Sequence, residues 1–112
     1  MDITEKIRKR EELEYIIKHD PLTGLFNRFY YEKVLNSPKA AGINGVIMAD
    51  IDGLKLINES LGHEAGDNLL KAAGEIIRRC FVKNEIVARV GGDEFVVLVS
   101  EKETKYLNEA VR

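Results

Sequence analysis

Apolar residues fall along this chain in different rhythms, and each rhythm predicts a different element. Residues 2–19 contain neither Gly nor Pro, and Ile3, Ile7, Leu13, Ile16 and Ile17 recur among helix formers, predicting a lead-in helix over residues 1–19. The spacing slips between Ile7 and Leu13, which weakens a continuous coiled-coil seam. Asp20-Pro21 stops the helix, because the residue before a proline is pushed out of the helical region. A turn from Leu22 to Leu25 leads into a second helix, from about Asn27 to Leu35, expected to present Phe29, Tyr30, Val34 and Leu35 to a core. Asn36-Ser37-Pro38 ends it, and the segment to Gly45 reads as loop.

The rhythm then changes. Val46 to Ala49 is an unbroken apolar run closed by Asp50, as in a central strand buried on both faces. Between Leu61 and Lys83, Leu69, Ala72, Ala73, Ile76 and Cys80 recur at three- and four-residue steps, predicting an amphipathic helix laid on a sheet. Glu85–Val90 and Phe95–Val99 are strand-like runs flanking Gly91-Gly92-Asp93-Glu94, which predicts a β-hairpin. A further helix is expected from Glu101. The order helix, helix, strand, helix, hairpin, helix is that of an α+β fold with helices covering one sheet. A three-stranded sheet with an open edge, ending on a crossover helix, also reads as the front of a longer domain.

Composition narrows the functions. With 17 basic and 19 acidic residues and a formal charge of −2, no global field draws the chain onto nucleic acid or an anionic membrane. The basic cluster Lys6, Arg8, Lys9, Arg10 is followed by Glu11, Glu12 and Glu14 and reads as a solvated helix face. No apolar run reaches the about 20 residues of a membrane span, so the expected location is cytoplasmic. The single Cys80 sits among apolar helix positions and reads as a small buried hydrophobe. His63 is expected to cap or pack a loop, and His19 to be an ordinary helix-end residue.

Acidic residues carry the candidate chemistry. Asp50 and Asp52 follow the first strand, and Asp93 and Glu94 lie in the glycine turn. If the first strand lies beside the hairpin, Asp50 and Asp93 meet at one end of the sheet and offer the hard oxygen ligands that suit Mg²⁺ and phosphoryl transfer. Gly91 and Gly92 are expected to take positive φ and admit a bulky ligand; Gly53 does the same at a helix start, where free N–H groups bind phosphate. By composition alone, a simple soluble hairpin turn explains the same four residues equally well.

Gly91-Gly92-Asp93-Glu94-Phe95 resembles the signature of the GGDEF, or diguanylate cyclase, family. The chain is similar to that family also at Asp20-Pro21-Leu22-Thr23-Gly24-Leu25-Phe26-Asn27-Arg28, at Asp50-Ile51-Asp52 with Lys55, Ile57 and Asn58, and at Gly62-His63-Glu64-Ala65-Gly66-Asp67. The blocks stand in the family's order and cover Asp20 to about Ser100, so residues 20–112 read as a partial domain of this kind. The resemblance implies a palm-like sheet related to nucleotide cyclases, with its active site at the glycine hairpin. It implies a nucleotidyltransferase that condenses two GTP into cyclic di-GMP with release of two pyrophosphates. Mg²⁺, or Mn²⁺ in its place, would be held by Asp50, Asp93 and Glu94 with the main-chain carbonyl of Ile51, and Asp93 and Glu94 would be catalytic. Gly53, Leu54 and Lys55 would hold phosphates beside Gly91 and Gly92, while Asn58 and Asp67 would recognise guanine. A carboxylate can accept from guanine N1–H and N2–H, which adenine does not present, so GTP is favoured over ATP. Catalysis in this family joins two domains, which implies a homodimer, and the lead-in helix fits a stalk from an upstream sensor.

Two departures from the family matter. Its Arg-x-x-Asp inhibitory site for product is replaced by Val82-Lys83-Asn84-Glu85, so no inhibitory product site is expected. The strands and late helix that follow in the family are missing after Arg112. An inactive GTP-binding regulatory or sensor module is the alternative reading, and a purely structural oligomerisation domain, which makes no use of the acids, is the third.

Overall fold

The computed structural model describes residues 2–100; the helix expected from Glu101 lies outside them. Helix α1 spans Ile3–Lys18 and starts where the Asp2 carboxylate accepts the Glu5 N–H at 2.8 Å. It ends at His19, one residue before Asp20-Pro21. Helix α2, Arg28–Leu35, is capped by the Asn27 side chain, which accepts from the Tyr30 N–H. A 3₁₀ turn, Pro38–Gly42, occupies the segment expected to be loop, and strand β1, Ile43–Asp50, begins three residues earlier than the expected start at Val46. The Ser37 hydroxyl caps that turn and Pro38 presets its first φ, a short-range device that hydrophobic periodicity does not register.

Helices α3, Leu54–Leu61, and α4, His63–Cys80, follow, then strands β2, Ile86–Arg89, and β3, Glu94–Ser100. Helix α3 was not anticipated as a separate element. Gly62, at φ 94°, breaks the run between α3 and α4, a conformation that side chains rarely adopt.

The fold is α+β, an antiparallel sheet covered by helices, with strand order β1-β3-β2. This corrects the expectation for β1: the strand buried on both faces is β3, and Val46, Ile47 and Met48 of β1 are exposed. Phe95, Val97 and Val99 join Leu25, Leu70 and Val87 in one cluster, on the side of α4, while Val96 and Leu98 join Val34 in the other, on the side of α2. Both strands are apolar runs; the two faces of β3 are both filled because α4 packs on one side of the sheet and α2 on the other.

The inward faces of two helices differ from expectation. In α2, Val34 is buried and Tyr30 and Tyr31 pack around it, whereas Phe29 and Leu35 are exposed. In α4, Gly66, Leu70 and Gly74 are buried with Ala73 and Ile77 beside the core, while Ala72, Ile76 and Cys80 face solvent. Glycines carry no weight in a hydrophobic pattern, yet their missing side chains let a helix approach its neighbours, and that approach sets the face of α4.

Phe26 covers the outer edge of β2: its N–H donates to the Val87 carbonyl at 3.1 Å and its carbonyl accepts from the Arg89 N–H at 2.9 Å. Its ring continues a stack of Tyr15, His19, Phe26 and Tyr30, with centroid separations of 3.8, 4.7 and 4.2 Å. His19 is therefore more than a helix-end residue. Its Nδ1 lies 3.1 Å from the Gly24 carbonyl, which can only accept, so that nitrogen carries the proton. Among the described residues no helix is long and apolar enough to cross a membrane.

Candidate active site

Strand pairing assembles the acidic residues. In the antiparallel register of β1 and β3, Asp50 stands opposite Glu94. Just beyond, the Ile51 N–H donates to the Asp93 carbonyl at 2.9 Å, fixing the glycine turn against the end of β1. One carboxylate oxygen each from Asp50, Asp93 and Glu94 fall within 4.8 Å of one another. None of the three ion pairs among the described residues involves these acids. Three carboxylates this close offer the oxygen ligands that a hard divalent cation prefers, so the residues present fit Mg²⁺. The Ile51 side chain packs against the core.

The turn itself departs from expectation, since neither Gly91 nor Gly92 has positive φ. Space explains Gly91: a Cβ there would come within 3.2 Å of Glu94 Oε2 and 3.3 Å of its Cδ, so glycine leaves room for that carboxylate. At Gly92 a Cβ would meet nothing within 4 Å, and this exposed backbone is open to approach from outside.

What holds the turn is a residue that sequence reasoning missed. Arg89, at the end of β2, donates from Nη2 and Nε to the Gly92 carbonyl at 2.8 and 3.2 Å. Its Nη1 donates to both Asp20 carboxylate oxygens at 3.1 and 3.3 Å. Asp20 also accepts the Thr23 N–H and hydroxyl at 2.9 and 2.8 Å, so the turn after α1 and the acidic turn share one guanidinium. An Arg amid the apolar residues of β2 was the available signal, because a charge drawn inside needs a partner. Arg28, nearby on α2, has its pKa raised by its hydrogen bond and charge contact with Glu32, with a smaller contribution from Glu94.

Phosphate-binding candidates begin three residues after Asp50. Gly53 has φ 79°, as anticipated, and forms the N-cap of α3 without any side-chain hydrogen bond. The amides of Leu54 and Lys55 stand in the first turn, where helical N–H groups lack intrahelical partners. Leu54 turns its side chain to the core and Lys55 is exposed. Asn58, half-buried on α3, packs against Gly66 of α4, and Asp67 is exposed directly beyond it.

Other expectations are settled differently. Cys80 is exposed rather than buried, because it falls on the outer face of α4. His63 opens α4 exposed, and α4 has no side-chain cap. In the segment Val82–Glu85, Glu85 Oε2 accepts the Lys83 N–H at 2.9 Å, while Glu85 Oε1 is buried without a hydrogen-bond partner among the described residues.

Residues 17–112 match the family model described as "Diguanylate cyclase, GGDEF domain". A protein of Shewanella oneidensis named diguanylate cyclase DgcS is 39% identical over 94 residues, covering 80% of this chain and 32% of that protein. One of Escherichia coli named cyclic di-GMP phosphodiesterase PdeR is 37% identical over 102 residues, covering 88% of this chain and 15% of that protein. The chain thus spans a third or less of the length of these two relatives. Among solved structures, the coiled coil and GGDEF domain of DgcB from Caulobacter crescentus, in complex with c-di-GMP, superposes with a TM-score of 0.79. It is 24% identical and the match covers 93% of this chain and 58% of that one, a likeness that establishes the palm-like fold. With its motifs, its fold and a family match over most of its length, the chain belongs to the GGDEF, or diguanylate cyclase, family.

Proposed function

We propose that this domain is the GTP-binding and catalytic part of a diguanylate cyclase, a nucleotidyltransferase that makes cyclic di-GMP from two GTP. The observation that carries this reading is the convergence of Asp50, Asp93 and Glu94 at one end of the sheet. Asp50, Asp93, Glu94 and the Ile51 carbonyl would hold Mg²⁺, or Mn²⁺ in its place. Bound there, the cation would supply neutralisation of the phosphate charge that builds up during phosphoryl transfer. Glu94 would lie beside the cation and the attacking 3′-hydroxyl, assisting metal binding or removal of its proton. The backbone of Gly53 and Leu54 and the Lys55 ammonium would bind the phosphates, the open backbone at Gly91 and Gly92 would admit the nucleotide, and Asn58 and Asp67 would read guanine.

One site binds one GTP, so the product requires two copies facing one another. Each 3′-hydroxyl forms a bond to the other nucleotide's α-phosphorus, and two pyrophosphates leave. Ile3, Ile7, Leu13, Ile16 and Ile17 of α1 are all more than half exposed, a supply of apolar surface for a second copy or an upstream sensor region. A GTP substrate sets the reaction in the cytoplasm.

The PdeR match favours a second reading, in which the same pocket binds GTP to regulate an attached activity without catalysis. Calorimetry of GTP and ATP, with and without Mg²⁺, tests the site in the wild-type chain and in Asp93→Ala. Mg²⁺-dependent binding that prefers GTP and disappears in the variant is expected, and a folded chain that binds neither nucleotide overturns the assignment. Chromatography of the GTP reaction then separates the two readings, because only the enzyme forms cyclic di-GMP.

A further inference from the structure

Gly66 has no conformational reason to be glycine. It lies early in α4 with ordinary helical backbone, where glycine is the poorest helix former after proline. Its absent side chain is nevertheless accounted for. A Cβ at residue 66 would overlap Asn58 Oδ1 outright and lie 2.8 Å from Cγ and 3.4 Å from Nδ2, so all three nearest neighbours belong to the Asn58 side chain. Gly74, two turns along the same helix, differs: a Cβ there would touch Thr23 and Leu25 at 3.3 and 3.4 Å, which is core packing.

We propose that Gly66 is a specificity-determining positioning residue, whose empty side-chain position seats the Asn58 carboxamide against α4 beside Asp67 so that the pair presents one polar edge to a guanine base. The proposal rests on the assignment of Asn58 and Asp67 to guanine recognition and names what sets their geometry. The conflict created by a methyl group at residue 66 is with the far end of a rotatable side chain and not with backbone. Asn58 can swing away, so the effect falls on recognition and not on stability.

Thermal unfolding, and calorimetry of GTP and ATP with Mg²⁺, are compared for wild type, Gly66→Ala, Asn58→Ala and the double variant. Gly66→Ala is expected to unfold at or slightly above the wild-type temperature and to weaken GTP binding about tenfold while ATP binding is unchanged. Asn58→Ala is expected to do the same to GTP. The double variant should bind no more weakly than Asn58→Ala, because a side chain cut back to Cβ no longer occupies the space. A Gly66→Ala protein that keeps its GTP preference, that loses both nucleotides with a large fall in melting temperature, or that adds its full effect on top of Asn58→Ala overturns the proposal. If Asn58→Ala itself leaves the GTP to ATP ratio unchanged, the guanine assignment has failed and takes the proposal with it. If Asn58→Ala lowers the ratio and Gly66→Ala does not, the role of Gly66 alone is wrong.

Discussion

Replacing Arg89 by Ala removes the one guanidinium that ties the turn after α1 to the acidic hairpin turn, and the structure sets the size of the effect. The side chains of Arg89 and Asp20 are 18% and 14% exposed, so this pair is screened far less than the surface pairs Arg28–Glu32 and Arg79–Glu75. Breaking a fully buried pair by deleting one partner costs about 3–5 kcal/mol. Here Asp20 keeps its two hydrogen bonds from Thr23, and water can reach the Gly92 carbonyl at an exposed residue, so neither group is stranded. These softening effects reduce the expected loss to about 2–3 kcal/mol, a fall of about 10–20 °C in melting temperature for a domain of this size. Urea unfolding of Arg89→Ala, Asp20→Ala and the double variant measures it, with the double variant about 1 kcal/mol or more better than the sum of the single losses. Arg89→Lys should recover little, because one ammonium cannot span both Asp20 and the Gly92 carbonyl as the planar fork does. Arg89→Ala within about 0.5 kcal/mol of wild type, or strict additivity with Asp20→Ala, would refute the reasoning.

Three shorter predictions follow from the same structure. Gly53→Val forces a β-branched residue to φ 79° and should destabilise the chain by about 1–2 kcal/mol in urea while weakening GTP binding; a neutral variant would contradict the left-handed cap. Native Cys80 should react with a thiol reagent at close to the rate of the unfolded chain, and strong protection would show that α4 is rotated from the face described. Cyclic di-GMP should form no tight complex at Val82–Glu85, so Lys83→Ala should leave titration of product unchanged, and a specific complex lost in that variant would restore an inhibitory site there.

Much of this protein could be read from its residues one after another. Periodicity, caps and breakers located α1, α2, the helix after Gly62 and the β2–β3 hairpin, because those signals act within a few residues of the chain. The acid-bearing motifs also indicate that Asp50 and Asp93 could meet, and the pairing of β1 with β3 brings them together. Tertiary structure decided the rest. Two apolar runs look alike in one dimension, and only pairing order makes β3 the strand buried on both faces and leaves Val46 and Met48 of β1 exposed. The face of α4 follows from what Gly66 and Gly74 allow to come near, a property of the neighbours more than of the helix. Asp20 and Arg89 are separated by 69 residues, and no local pattern reports that the Arg89 guanidinium bridges Asp20 to Gly92. Short-range propensity and periodicity determined the elements, whereas packing contacts between distant residues decided which surfaces are buried and how the candidate site is held.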